Sequence, residues 1–519
     1  MQGIKALLFC ILALLPLAVG AQDYEIVKGG CTPQVSGESA VTRGVPARLP
    51  QPQKKWDASK IYKQMVILVE FSDTTFSVEN PRERYDRMFN ERGYNEGVGA
   101  GCVADYFREQ SSGLFNLEFD VYGPVAVSHK AQPYDNPDAN TKNMGAEQFR
   151  QATQKVFANN PEVDYGQYDW DGNGSIDQII IVYACLAGNQ GKGSFGYIWP
   201  NSDYFVSLRS PDGHSASHYS ASGELWKNRN GSTFGIGTII HEFSHCLGLP
   251  DIYPTKGDAA YSVCDEWDLM DGGNYSNEGW CPPNYTAQEK MLLGWLTPIE
   301  LTEPTTITGM KPVSEGGDIY IIKNTESEYF LLENRQWTGW DAAAPGKGLL
   351  ISHVDYSESA WSNNRVNVEK GHFRYDFVHA DSLDYEQWNL IQKRNDNQWT
   401  EKPMLHNKHL STTPYPWSTD STAFVNDRLT DDSTPAATTF QVNKEGEKFL
   451  SKAITNIRVT DDGLISFDFM GGDPNAIREA GSRQTAVGQG FYYDLQGRRS
   501  HGKPGRGLYI REGKKVIFK

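Results

Sequence analysis

Positive charge is scarce in this chain. Lys and Arg number 49 against 65 Asp and Glu, for a formal net charge of −16 and a pI near 5.2. A surface of that sign repels phosphate backbones and anionic headgroups, which argues against nucleic acid or acidic membrane as partners. Long apolar runs are also missing: beyond residue 21 nothing approaches about 18 uninterrupted apolar residues, so no transmembrane helix is expected. Internal repeats are absent, and no acidic block is long enough to form a disordered tail. Cysteine is sparse, with seven in 519 residues. Cys10 falls in an N-terminal leader, and the remaining Cys31, Cys102, Cys185, Cys246, Cys264 and Cys281 admit many pairings among which spacing cannot choose. What is present is the composition of a globular protein, 39% hydrophobic and 22% charged. A chain of this length is too long for one ordinary core and predicts two to four domains.

Residues 1–21 read as a secretory signal peptide. Lys5 opens it, an apolar run spans 6–20, and Val-Gly-Ala at 19–21 supplies small residues for cleavage before Gln22. An exported protein, secreted or at the cell surface, is the expectation.

The most constraining string is His241-Glu-Phe-Ser-His-Cys-Leu-Gly-Leu-Pro-Asp251. The histidines stand four positions apart, so a helix sets both imidazoles on one face, one turn apart. That spacing lets two nitrogens reach one zinc ion at about 2.0–2.1 Å. Glu242 then lies beside the metal as a general base for water. Gly248 can end the helix in a left-handed conformation and turn the chain so that Asp251 becomes the third ligand. Three protein ligands leave a fourth position open, the mark of a catalytic zinc. The string predicts a zinc-dependent endopeptidase. Two rivals stand beside it: a thermolysin-like ligand set with Glu266 or Asp268 in place of Asp251, and a non-catalytic surface-binding protein on a protease scaffold.

Cys246, Cys264 and Cys281 crowd this region, and a disulfide bracing it is one expectation in an oxidising compartment. Cys246 follows His245 but points about 100° away on a helix, so packing or a disulfide suits it better than metal. Met270, in Trp267-Asp-Leu-Met-Asp-Gly-Gly273, is the candidate for a methionine turn flooring the site. Tyr275 is a candidate donor to the oxyanion. Residues 169–177, Asp-Trp-Asp-Gly-Asn-Gly-Ser-Ile-Asp, offer oxygens from Asp169, Asp171, Asn173 and Asp177 like the first half of a calcium loop. Ile180 stands where the bidentate Glu belongs, so a calcium site completed from elsewhere and a metal-free Asx turn are both open.

Along the chain, residues 22–60 are polar, broken by Gly and Pro, and read as a loose propeptide or linker. Cys31 within it could latch the zinc as a thiolate and keep the enzyme a zymogen, or pair with the body. Strands are predicted at 64–71, 115–121 and 178–183, and helices at 103–112, within 231–247 and at 287–296, the last N-capped by Thr286. The mixture makes 61–300 an α+β catalytic domain. Strand-like runs at 319–322, 329–333, 349–354 and 464–470 suggest a β-sandwich accessory domain over 301–470, with long loops at 385–440. A flexible link and a small C-terminal β unit fill 471–519.

These segments together resemble the immune inhibitor A family of secreted metallopeptidases. The likeness runs over about residues 61–360. It is carried by 65–73, Asp105-Tyr-Phe-Arg-Glu-Gln-Ser-Ser-Gly-Leu114, the 169–177 loop, the zinc motif and the methionine turn. Glu289-Lys-Met-Leu-Leu-Gly-Trp-Leu296, Tyr329-Phe-Leu-Leu-Glu-Asn-Arg-Gln336 and Pro345-Gly-Lys-Gly-Leu-Leu-Ile-Ser-His-Val-Asp355 follow in the family's order. Ser352 departs from the family, where Trp is more usual, and touches no catalytic role. The resemblance implies a metzincin-like catalytic domain, a propeptide and extracellular proteolysis, with His241, His245 and Asp251 as ligands and Glu242 as base. The C-terminal unit looks like the end of a type IX sorting domain, which implies the secretion machinery as a partner.

Overall fold

The structure, a computed structural model, describes residues 49–472 except 54, 97–98, 133–144, 190–196, 227–231, 256–261, 384–409 and 419–424, together with four strands between 492 and 518. The leader at 1–21 and Cys31 lie outside the described residues.

The first sheet is built from β1 (Ile61–Glu70), β2 (Asn116–Ala126), β3 (Ile179–Leu186), β4 (Asn201–Arg209), β5 (Ser215–Trp226) and β6 (Ser232–Thr233). Its order is β2-β1-β3-β5-β4, with β6 pairing β5 beside that path. The pairs β1–β2, β1–β3 and β3–β5 are parallel; β4 runs antiparallel on the outer edge. Parallel neighbours need crossovers, and α1 (Pro81–Asn90), α2 (Val103–Gln110) and α3 (Ala146–Asn159) supply them. β1 shows why both sheet faces are covered: Val66 and Leu68 point into one apolar core, while Met65, Ile67 and Val69 point into another. Helices α2 and α4 (Gly237–Cys246) contribute to the first core, α3 to the second. The mixture of strands and helices is as expected; helices separate β1, β2 and β3, while β3, β4, β5 and β6 follow one another with no α-helix between them among the described residues.

Past α5 (Ala287–Leu292) the structure is mainly β. Strands β7 (Ile299–Glu300), β8 (Thr305–Met310), β9 (Tyr320–Lys323), β10 (Glu328–Arg335), β11 (Gly348–Asp355) and β12 (Tyr375–Phe377) come first, with α6 (Glu358–Ser362) between the last two. Then follow β13 (Trp417–Ser418), β14 (Val425–Asn426), β15 (Ile454–Val459) and β16 (Ile465–Phe469). A five-stranded sheet, β12-β11-β10-β9-β7, faces a three-stranded one, β15-β16-β8, across a core that includes Ile322, Phe330, Ile351, Ile454 and Phe467. The other face of the five-stranded sheet does not meet solvent. Its Ile321, Leu331, Leu350, Val354 and Tyr375 join the core that also holds Phe107, Ile240, Phe243 and Met270. One apolar core thus runs across residue 300, where composition suggested a domain boundary.

The N-terminal stretch expected to be loose is docked from residue 49 onward. The Leu49 N–H donates to the Ser362 carbonyl at 2.9 Å, and the Trp56 indole N–H reaches the Leu293 carbonyl at 2.5 Å. Trp56 also packs its ring on Phe115, with centroids 4.4 Å apart. At the far end, β17 (Tyr492–Tyr493), β18 (Arg499–Ser500), β19 (Gly507–Arg511) and β20 (Lys514–Phe518) form an antiparallel sheet in the order β18-β17-β19-β20. No helix among the described residues is long and apolar enough to cross a membrane.

Candidate metal centre

Helix α4 is buried along its whole length and packs against β5, β4 and the 3-10 segment Gly273–Gly279. Close approach of that segment requires Gly237: a β-carbon there would meet the Asn274 carbonyl oxygen at 2.0 Å. The helix ends in paired capping bonds, Leu249 N–H to Ser244 O at 3.1 Å and Gly248 N–H to His245 O at 3.0 Å. This Schellman closure requires positive φ at Gly248, which has φ 100°. A second constraint falls on the same glycine, since Pro50 O would stand 2.6 Å from its β-carbon. The turn then delivers Leu249 O to the His245 Nδ1 at 2.7 Å. His241 Nδ1 lies 2.9 Å from Leu269 O, on the turn that carries Met270.

Both carbonyls accept only, so each imidazole carries a proton on Nδ1, and in the neutral ring Nε2 is the lone pair. Those two Nε2 atoms and Asp251 Oδ1 are fully buried and make no hydrogen bond. Asp251 Oδ1 stands 3.3 Å from His241 Nε2 and 3.2 Å from His245 Nε2. Ligand atoms at about 2.0–2.1 Å from one tetrahedral ion are separated from each other by about 3.3 Å. A carboxylate oxygen at that distance from each of two buried ring nitrogens fits a zinc ion, and carbonyls bonded to the far ring nitrogens are the usual support of metal-binding histidines. Glu242, also buried, brings a carboxylate oxygen within 4.8 Å of a ring nitrogen of each histidine.

Of the two alternative third ligands, Asp268 is engaged elsewhere. Asp268 Oδ1 accepts the Met270 N–H at 2.7 Å, and its carboxyl group hydrogen-bonds Glu289. Burial and the Glu289 charge push Asp268 well above the usual carboxylate range; burial likewise raises Glu289, to about 7. Asp268 and Glu289 thus face each other as a buried, hydrogen-bonded carboxyl pair. Glu266 lies half-buried on the 3-10 turn Asp265–Trp267. Met270 is completely buried, and its carbonyl accepts the Ile252 N–H at 2.9 Å, tying the turn to the strand of chain that carries Asp251. Tyr275 is half-buried in the 3-10 segment beside the start of α4, and its hydroxyl accepts a hydrogen bond from Asn189 Nδ2 at 2.9 Å.

The expected disulfide is not formed: Cys102, Cys185, Cys246, Cys264 and Cys281 are all free and buried. Their sulfurs serve separate elements. Cys246 pairs with the Ser202 hydroxyl at 3.3 Å, Cys281 donates to Trp340 O at 3.4 Å, and Cys102 N-caps α2 by accepting the Asp105 N–H at 3.3 Å. Burial pushes the Cys246 thiol up to about 12, away from thiolate chemistry.

At 169–177 the structure brings Asp169, Asp171 and Asp177 together. Their oxygens are engaged by the loop's own backbone: Asp169 accepts from Gly172, Asn173 and Gly174, Asn173 accepts from Ser175, and Asp177 accepts from Trp170. These bonds shape the turn, and the three carboxylates still lie within 4.8 Å of one another. Burial, with the neighbouring carboxylates, raises Asp177 to about 6.

Two residues that hold the site carry no signal in the sequence. Asn364 grips Asp251, and Asn367 Nδ2 donates to the Ile252 carbonyl at 3.0 Å. They stand more than a hundred positions downstream, in a stretch without any motif.

Two histidines and a carboxylate around one point, with an adjacent glutamate and a buried methionine turn, are the donor set of a metallopeptidase. Comparison with known proteins gives the same class. Residues 51–293 match the family profile of the immune inhibitor A peptidase M6 catalytic domain. The pre-pro-metalloprotease PrtV of Vibrio cholerae is 23% identical over 266 residues, covering 47% of this chain and 28% of the relative. Immune inhibitor A of Bacillus thuringiensis subsp. alesti is 25% identical over 272 residues, covering 44% of this chain and 39% of the relative. The chain therefore spans well under half the length of these curated relatives.

Proposed function

We propose that this protein is an exported zinc metalloendopeptidase, with His241, His245 and Asp251 as zinc ligands and Glu242 as general base. The observation that carries the reading is the convergence of Asp251 Oδ1 on the two buried Nε2 atoms at 3.2–3.3 Å, with both histidine Nδ1 atoms engaged by carbonyls. Zinc bound there would supply Lewis acidity to the attacking water and the scissile carbonyl. Glu242 takes the proton of that water and passes it to the leaving amine. Tyr275 helps hold the developing oxyanion through its hydroxyl. Met270 fills the floor beneath the ligands.

Protein substrates bind extended along β4, the antiparallel outer strand, because main-chain pairing there reads peptides with little regard to sequence. Exposure of Tyr204 at 45% and Val206 at 78% on that strand supports this. Export by the N-terminal leader, latency through Cys31 and passage by way of the C-terminal β unit complete the reading; the relative named a pre-pro-metalloprotease points the same way. The test is zinc analysis of the purified protein together with casein hydrolysis. One zinc per chain and activity that stops with a chelator are expected. A zinc-free, inert protein would sink the proposal.

A further inference from the structure

The metal ligands are not held alike. His245 is oriented by a carbonyl four residues on and His241 by one 28 residues on, but Asp251 is oriented from 113 residues away. The Asp251 N–H donates to Asn364 Oδ1 at 2.7 Å, and Asn364 Nδ2 donates to Asp251 Oδ2 at 2.7 Å. One carboxamide thus closes a ring on one residue, fixing both its backbone and its carboxylate. Oδ2 is occupied, so Oδ1 is left to face the two Nε2 atoms.

The pairing demands an acceptor and a donor at a fixed separation, which an Asn side chain supplies and Ala, Ser or Asp does not. Asn364 is itself locked. It is 1% exposed, lies in the left-handed region at φ 53°, donates its N–H to Trp361 O at 3.1 Å and accepts from the Thr255 hydroxyl at 2.6 Å. Asn and Gly are the residues that adopt this conformation most readily.

Resting on the metalloenzyme reading above, we propose that Asn364 is a positioning residue for the third zinc ligand: it aims Asp251 Oδ1 at the metal and thereby sets zinc affinity. The region past residue 300 then contributes directly to the metal centre, not only to packing around it.

Chelator-competition measurements of zinc affinity on the full-length protein test this. N364G keeps the left-handed backbone and removes the carboxamide; N364D keeps the shape and sets a carboxylate against Asp251. Loss of a group that orients a metal ligand weakens binding about 10–100-fold, so both variants should fall in that range, N364D lowest. The neighbouring N363A should bind zinc like the parent. In a D251A background N364G should have no further effect on affinity, because its only route to the metal is gone. Affinity within about twofold of the parent in both Asn364 variants, or an equal loss with and without Asp251, overturns the inference. So does failure of both variants to fold while D251A folds, since Asn364 would then serve the frame and not the ligand. A parent that takes up no zinc sinks the metal reading itself.

Discussion

The His pair and Asp251 meet at one point but are held by opposite means. His241 and His245 lie on one turn of α4 and take their orienting bonds from Leu269 and Leu249. Asp251 lies past a glycine turn and takes its orienting bonds from Asn364, on the loop after α6. The spacing of the two histidines is inherited from helix periodicity, although His241 takes its orienting bond from the methionine turn, 28 residues on. Remote geometry exists only when the whole core has closed. The metal centre therefore couples a locally specified half to a half that reports on the fold of the β region.

Four substitutions probe that difference, the largest effect first. E242Q acts within the local half and should lower casein turnover by about 10²–10⁴-fold, the usual worth of a positioned acid-base group, while zinc content by metal analysis stays at parent level. Loss of zinc together with activity would assign Glu242 to the ligand set instead.

R335A acts within the remote half. Arg335 is fully buried on β10, donates to both oxygens of Asp341 at 2.7 and 2.5 Å, and lies 5.7 Å from the Trp267 ring. Removing it strands Asp341 and should cost about 3–5 kcal/mol in chemical denaturation. If the coupling holds, zinc affinity falls with it. An unchanged denaturation midpoint would show that the two sides of residue 300 are energetically separate.

G248A strikes the hinge between the halves. Positive φ and the nearby Pro50 carbonyl leave no room for a β-carbon, and the strain should cost about 1–3 kcal/mol. Thermal unfolding gives the cost directly, and parent-like unfolding would mean that residues 49–53 move aside freely.

E289Q gives the smallest effect, visible as a pH slope. Glu289 has its folded pKa raised by burial from the ordinary carboxylate range to about 7. Its contribution is therefore fully present below about pH 4.5 and is lost as pH rises through about 7. The parent should lose stability over that window through this group. Gln can still close the capping box with Thr286, so the E289Q profile should be flatter. Parallel stability profiles for parent and variant would rule out the raised pKa of Glu289.

Much of the local half was legible in the sequence. Helical spacing put His241, Glu242 and His245 on one buried element, and Gly248 was recognisable as its stop because few other residues close a Schellman turn. Thr286 was readable as a cap and forms a capping box with Glu289. Apolar runs located β1, β3, β9 and β11 because a strand buried on both faces has no polar positions to obscure it. The cysteines misled because crowding in sequence says nothing of sulfur-to-sulfur geometry.

What the sequence alone determined was the chemistry on offer: two imidazoles, a glutamate and a carboxylate at spacings that suit one metal. In the proposed ligand set, tertiary structure decides which carboxylate answers. Asp251, Glu266 and Asp268 are alike in type and close in sequence, and no local rule separates them. Asn364 turns Asp251 inward, while the Met270 N–H and Glu289 hold Asp268 elsewhere. That choice depends on partners far along the chain, which only a closed core brings within hydrogen-bonding distance.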